Sequence, residues 1–120
     1  MSRPDTRTHA EKLLAGKETV EALEWLRGQN KDSVRSLAEL SNDESQKVID
    51  QIYQRGARHV WACEFVGNPP YEAIVWLVVE LSDLRWKRED TLEYLNAQIE
   101  KQGLDPVADT GQRFQAVWFD

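Results

Sequence analysis

The stretch Arg58–Leu81, RHVWACEFVGNPPYEAIVWLVVEL, carries two apolar segments, His59–Phe65 and Ala73–Leu81, on either side of Gly67, Asn68, Pro69 and Pro70. Both segments are rich in Val, Ile, Trp and Phe, and the residues between them are turn formers. The pattern predicts an antiparallel hairpin, Arg58–Val66 with Ala73–Leu81, and a loop longer than the minimum. Side chains alternate along a strand, so one face of the second strand carries Ala73, Val75, Leu77, Val79 and Leu81. The other carries Ile74, Trp76, Val78 and Glu80. Both faces are apolar, and a sheet of that kind needs two covers. Flanking helices supply one. The other must come from N-terminal helices, a second subunit or a bound ligand.

The clearest helix precedes the hairpin. Ser41 and Glu44 stand in capping-box spacing, Val48, Ile49, Ile52 and Tyr53 form one stripe, and Gly56 offers a left-handed stop, which predicts a helix over Asp43–Arg55. After the hairpin, Ser82 or Asp83 can cap a second helix with Leu92, Leu95 and Ile99 inward and Gly103 past its end. A polar stretch, Asp105–Gly111, then leads to a last strand, Arg113–Phe119. Nearer the N-terminus, Leu13, Leu14, Val20, Leu23 and Leu26 have helical spacing over Thr8–Arg27, with Gly16 as a break and Gly28 as a stop. Ser33–Leu40 is too short for periodicity to choose between strand and helical turn.

With Ser33–Leu40 as a strand, the order becomes strand, helix, strand, strand, helix, strand. This is the split arrangement of an α+β, ferredoxin-like βαββαβ sandwich with a four-stranded antiparallel sheet, preceded by one or two N-terminal helices. Both helices fall on one face. The wholly apolar side of Ala73–Leu81 is assigned to them and the Trp76 side to the open face, for which the N-terminal helix is a natural lid or an arm toward a partner. At 120 residues the chain fits a single domain, residues 1–120, with residues 1–31 as a helical extension and 32–120 as the α+β core.

Charge narrows the partners. Residues 1–31 hold six basic and five acidic groups, whereas residues 32–120 hold nine basic and sixteen acidic, an acidic body that repels a phosphate backbone. Nucleic acid is therefore not an expected partner, and a basic protein surface is. The longest apolar run, Ala73–Val79, is far short of the roughly 20 residues that span a bilayer, and the polar Met1–Lys12 lacks the apolar core of a signal peptide. One cysteine, Cys63, excludes an internal disulfide, and a cytoplasmic setting follows.

Candidate chemistry lies on the open face. Alternation groups His59, Trp61, Cys63 and Phe65 in the first strand of the hairpin, and Phe114, Ala116, Trp118 and Asp120 in the last strand. If these share the Trp76 side, then Trp61, Trp76 and Trp118 form an aromatic wall with His59, Cys63 and Glu80 as its polar points, which suits either core packing or a small-molecule site. A one-residue slip in the hairpin would place Arg58, Val60, Ala62 and Glu64 there instead. His59 beside Glu80 is the pair from which a general acid or base could be built. Cys63, with no adjacent basic group, reads as a small core residue. One cysteine and two distant histidines supply no metal site of the usual kind, and no glycine-rich phosphate loop occurs, so no metal or cofactor is expected.

The expected function is a non-catalytic binding or protein-interaction module, a homodimer or a subunit of a complex. The alternative is a small enzyme or small-molecule sensor with its pocket over the tryptophan face. The helix assignment makes a direct test: Ile52→Asp should destabilise by several kcal/mol, because it places an unpaired charge on the inner face. A melting temperature that barely moves would show that Ile52 does not face the core.

Overall fold

The computed structural model describes residues 9–15 and 19–119; Gly16, the expected helix break, and Asp120 lie outside them. The elements in chain order are α1 (His9–Leu14), β1 (Val20–Glu21), α2 (Ala22–Arg27), β2 (Val34–Leu37), α3 (Asn42–Gln54), β3 (His59–Asn68), β4 (Tyr71–Glu80), α4 (Arg85–Lys101) and β5 (Phe114–Trp118). The fold is α+β, and the sheet has five strands where four were expected. The extra strand is β1, which breaks the helix expected over Thr8–Arg27 and pairs antiparallel with β3 at Val20–Ala62 and Glu21–Trp61.

Ser33–Leu40 resolves as a strand because its backbone finds partners on β4. Val34, Arg35, Ser36 and Leu37 lie beside Tyr71, Glu72, Ala73 and Ile74 in parallel register. The hairpin is tighter than its proline-rich loop suggested: Asn68 pairs with Tyr71, so only Pro69 and Pro70, joined by a cis peptide, lie outside the ladder. Gly67 makes this possible. Its φ is +88°, and a Cβ there would meet the Tyr71 carbonyl oxygen at 2.5 Å.

Two bulges correct the alternation read from the sequence. Ala62 pairs with Leu77 and Glu64 with Trp76, leaving Cys63 as an extra residue on β3; Phe65 then pairs with Ile74, leaving Val75 extra on β4. Phe65 and Ile74 consequently pack in the core under the helices, and Val75 joins the opposite face. From the bulges to the His59–Glu80 end the expected faces hold. Val60, Ala62, Leu77, Val79 and Leu81 belong to the helix-side core with Ile49, Ile52, Leu92, Leu95 and Ile99.

The last strand departs most from expectation. β5 pairs antiparallel with β4, from Trp76–Trp118 to Glu80–Phe114, and so occupies the same edge of β4 as β2, end to end. Side chains explain why the outer edge of β2 is closed to it. The Arg35 amide donates to Gln29 Oε1 at 2.9 Å, the Leu37 amide donates to Ser45 Oγ at 2.7 Å, and Asn42 Nδ2 donates to the Arg35 carbonyl at 2.8 Å. With these groups satisfied, a strand added there has little left to bond. β2 also ends after four residues, where Glu39 turns the chain at φ +70°, so the Trp76–Glu80 edge of β4 is left for β5.

The helices begin and end by local chemistry. Ser41 Oγ accepts from the Glu44 amide at 3.1 Å, and Glu44 Oε1 accepts from the Ser41 amide, closing the capping box that starts α3. Neither Ser82 nor Asp83 caps α4. Its N-cap position is Leu84, and Ser82 Oγ instead accepts from the Leu84 amide at 3.1 Å. The segment after α4 is fastened by Asn96, which donates to the Val107 carbonyl and accepts its amide, and by the Arg88–Asp109 ion pair at 2.6 Å. α2 does not join α1 as a lid. Its Ala22 and Leu26 pack in the helix-side core, and Asn42 Nδ2 also donates to the Leu26 carbonyl, tying α2 to α3.

Ser45 is wholly buried and joins two elements, donating to the Ser41 carbonyl at 2.6 Å while accepting from Leu37. Ser45→Ala should cost about 2 kcal/mol, the penalty for a buried amide without an acceptor. Denaturant unfolding checks this, and an unchanged midpoint would mean that the β2 edge is not held by this hydroxyl.

Candidate functional site

The sheet face opposite α3 and α4 gathers the residues that carried the chemical expectation. Trp61 lies beside Val78, Val78 beside Ala116, Trp76 beside Trp118, and Glu80 between His59 and Phe114. Trp61, Cys63, Trp76, Val78, Phe114, Ala116 and Trp118 pack together there with Ala10 and Leu13 of α1. The three tryptophans thus share one surface, and α1 rests on it. Trp118, at the sheet margin, packs against the helix-side core as well.

The polar points on this face do not assemble into an acid–base pair. His59 is exposed rather than buried, and its ring stacks on Trp61 at 5.2 Å between centroids, with 26° between planes. Glu80 is 8% exposed, and its two carboxylate oxygens are shared out to Arg58 Nε and Arg113 Nη2, each at 3.6 Å. Arg58 also reaches Asp83 at 3.6 Å, and the Arg113 guanidinium lies 5.0 Å from the Phe114 ring. Cross-strand pairing therefore brings His59 and Glu80 to neighbouring positions, while the carboxylate is occupied by arginines that sequence spacing gave no reason to connect with it.

Cys63 sits at the β3 bulge, 7% exposed. Burial pushes its thiol up to about 11, partly offset by a hydrogen bond with Thr19 and reinforced by the nearby Glu64 charge. The neutral thiol is the form this environment holds, which suits packing and not nucleophilic attack. Among the described residues no group of three or more His, Cys, Asp or Glu is placed to hold a metal ion. Nor is any helix among them long and apolar enough to cross a membrane.

Comparison with known proteins gives no match, to a family model, a curated protein or a solved structure.

Two surfaces went unseen in the sequence. The first is the distal half of the hairpin. Past the bulges, Val66, Ala73 and Tyr71 lie on the α1 side of the sheet but beyond α1's cluster, and Val34 on β2 is the neighbour of Tyr71. Tyr71 is 70% exposed, Val66 52% and Val34 37%, an apolar group at one end of the sheet. The second is a cleft of about 280 Å³ between α3 and α4, floored by Leu40, Val48, Tyr94 and Phe119. Only the tight hairpin register reveals the first, and the second joins residues from the exposed sides of separate elements.

The thiol state has a measurable consequence. At pH 8 the native thiolate fraction should be about a hundredfold below that of the unfolded chain, the difference between a thiol pKa of about 11 and the ordinary 9.0. Stability contributed by the neutral thiol is fully present below pH 9 and falls as pH rises toward 11, because the unfolded thiol ionises first. Iodoacetamide labelling at pH 8, with and without denaturant, checks it. Equal rates would mean an exposed or activated Cys63.

Proposed function

We propose that the protein is a non-catalytic, cytoplasmic binding module that associates with a second copy of itself through the distal half of its hairpin. The observation that carries this reading is the bare apolar end of the sheet at Val34, Val66 and Tyr71. Its edge supports it. β1 pairs only with Trp61 and Ala62, so β3 from Glu64 to Asn68 has no strand on its outer side among the described residues. From Trp61 to Tyr71 the one charged residue is Glu64, and no lysine guards this edge.

A two-fold, antiparallel pairing of β3 with its copy centred on Val66 sets Val66 against Val66 and Glu64 against Asn68. It avoids a facing pair of carboxylates and adds Tyr71 from each copy to the interface. Glu80, His59 and Cys63 favour holding over turnover as well, since the first is engaged by arginines, the second is stacked in the open and the third is held neutral. A sensor pocket over Trp61, Trp76 and Trp118 would need α1 to leave Trp76 and Val78. Kinship with the ferredoxin-like sandwich is part of the same proposal: β2, α3, β3, β4, α4 and β5 keep the split order, with the last strand displaced along β4.

Light scattering on the full-length protein should give a dimer, and Val66→Lys a folded monomer with unchanged circular dichroism. A wild-type monomer at high micromolar concentration, or a Val66→Lys dimer, would overturn the assignment of this edge.

A further inference from the structure

Two cores share the sheet, and the smaller one is closed by a single short helix. The helix-side core under α2, α3 and α4 contains no residue of α1. α1 gives Ala10 and Leu13 to the opposite cluster as buried residues, with Leu14 at its margin. They meet Trp61, Trp76, Phe114 and Trp118, and three of these rings, Trp61, Phe114 and Trp118, remain only half-buried with α1 in place. Four aromatic rings offer more surface than one leucine and one alanine can cover.

α1 is also too short to be a helix by itself. It has six residues, and a helix of that length has no stability in water apart from the surface it packs on. Two buried side chains are set against the entropy of ordering the segment. Leaving the face and losing the helix are then one local step, which leaves the helix-side core intact.

The face runs on past α1. Val75 belongs to the same cluster, and Ala73, Val66 and Tyr71 continue it toward the hairpin tip. From Val78 to Tyr71 the strand covers about 23 Å, against about 9 Å for a helix the length of α1. A helix of about 15 residues matches the strip. Glu64, exposed beside Trp76, puts a negative charge at its side.

We propose that this face is a docking groove for an amphipathic helix of a partner protein, which displaces α1 and lies along the strip. α1 itself shows the chemistry that fits. A small residue followed by leucines, as in Ala10, Leu13 and Leu14, sits on the tryptophans, and about four turns of such a stripe fill the length. Lysine or arginine on the flank of the incoming helix meets Glu64. The chain's own α1 is the competitor that covers the groove in the free protein. This goes beyond the self-association reading and does not rest on it, since that pairing takes the backbone edge of β3 and this helix lies across the face.

Heteronuclear NMR titration of the full-length protein tests this, with a peptide of about 16 residues that repeats the Ala10, Leu13 and Leu14 spacing and carries lysine elsewhere. One control has the same residues in an order without an apolar stripe, and a second keeps the stripe with glutamate for lysine. The striped lysine peptide should give saturable shifts at Trp61, Val75 and Trp118 while the Ala10 and Leu13 signals move to unfolded positions. Each control should bind at least about tenfold more weakly. Leu13→Asp should stay folded, because α1 has no part in the helix-side core, and should bind the striped peptide about tenfold more tightly with the competitor gone. Four results would each overturn the proposal: no saturable shifts on this face at millimolar peptide, binding that leaves the α1 signals in place, a control that binds as well, or a Leu13→Asp variant that unfolds or binds no more tightly.

Discussion

β4 is the strand on which the rest is built. It pairs with β3 along one edge and with β2 and β5, end to end, along the other. From Ile74 to Leu81 its side chains are buried but for Val75, alternately under α3 and α4 and against the tryptophan face. A strand enclosed on both faces and both edges tolerates neither a polar side chain without a partner nor a shift of register. The carboxylate at its buried end, Glu80, is accordingly flanked by Arg58 and Arg113, which stand just before β3 and β5. What looked like half of an acid–base pair is the price of ending an apolar strand with a charge.

Side chains do much of the joining that strands do elsewhere. Gln29, Asn42 and Ser45 satisfy the outer edge of β2. Tyr53 on α3 donates to Glu21 Oε1 at 2.6 Å and accepts the Val60 amide at 3.1 Å, while the other oxygen of Glu21 caps α2. Burial and the Glu21 carboxylate together hold the Tyr53 phenol well above its usual range, so it remains a donor at any ordinary pH. α3 is thereby bonded to β1, β2, β3 and, through Asn42, to α2.

Much of this was legible in the sequence, for a physical reason. The α3 capping box and apolar stripe, the hairpin, and the grouping of Trp61 with Trp76 and Trp118 all follow from periodicities of 3.6 and 2 acting on strongly apolar residues. What escaped was decided by single atoms at long range. The destination of β5 depends on hydrogen bonds from Gln29, Asn42 and Ser45, which have no periodic signature. β1 is two residues long, too short for any pattern, and it took the place of a helix that Val20 and Leu23 seemed to continue. The apolar hairpin end was hidden by the bulges, which invert the alternation just where Phe65 and Val66 exchange roles.

Those bulges also bear on how such a chain varies over evolution. Cys63 and Val75 are additions of one residue to facing strands, and because there is one on each, the pairing of Phe65 with Ile74 and of Asn68 with Tyr71 closes without offset. Deletion of one alone would shift every distal pair of β3 with β4. Deletion of both would restore plain alternation with the same pairs and the same buried side chains. Length changes in this hairpin should therefore be inherited as couples, and a homologue shorter by one residue in β3 should be shorter by one in β4.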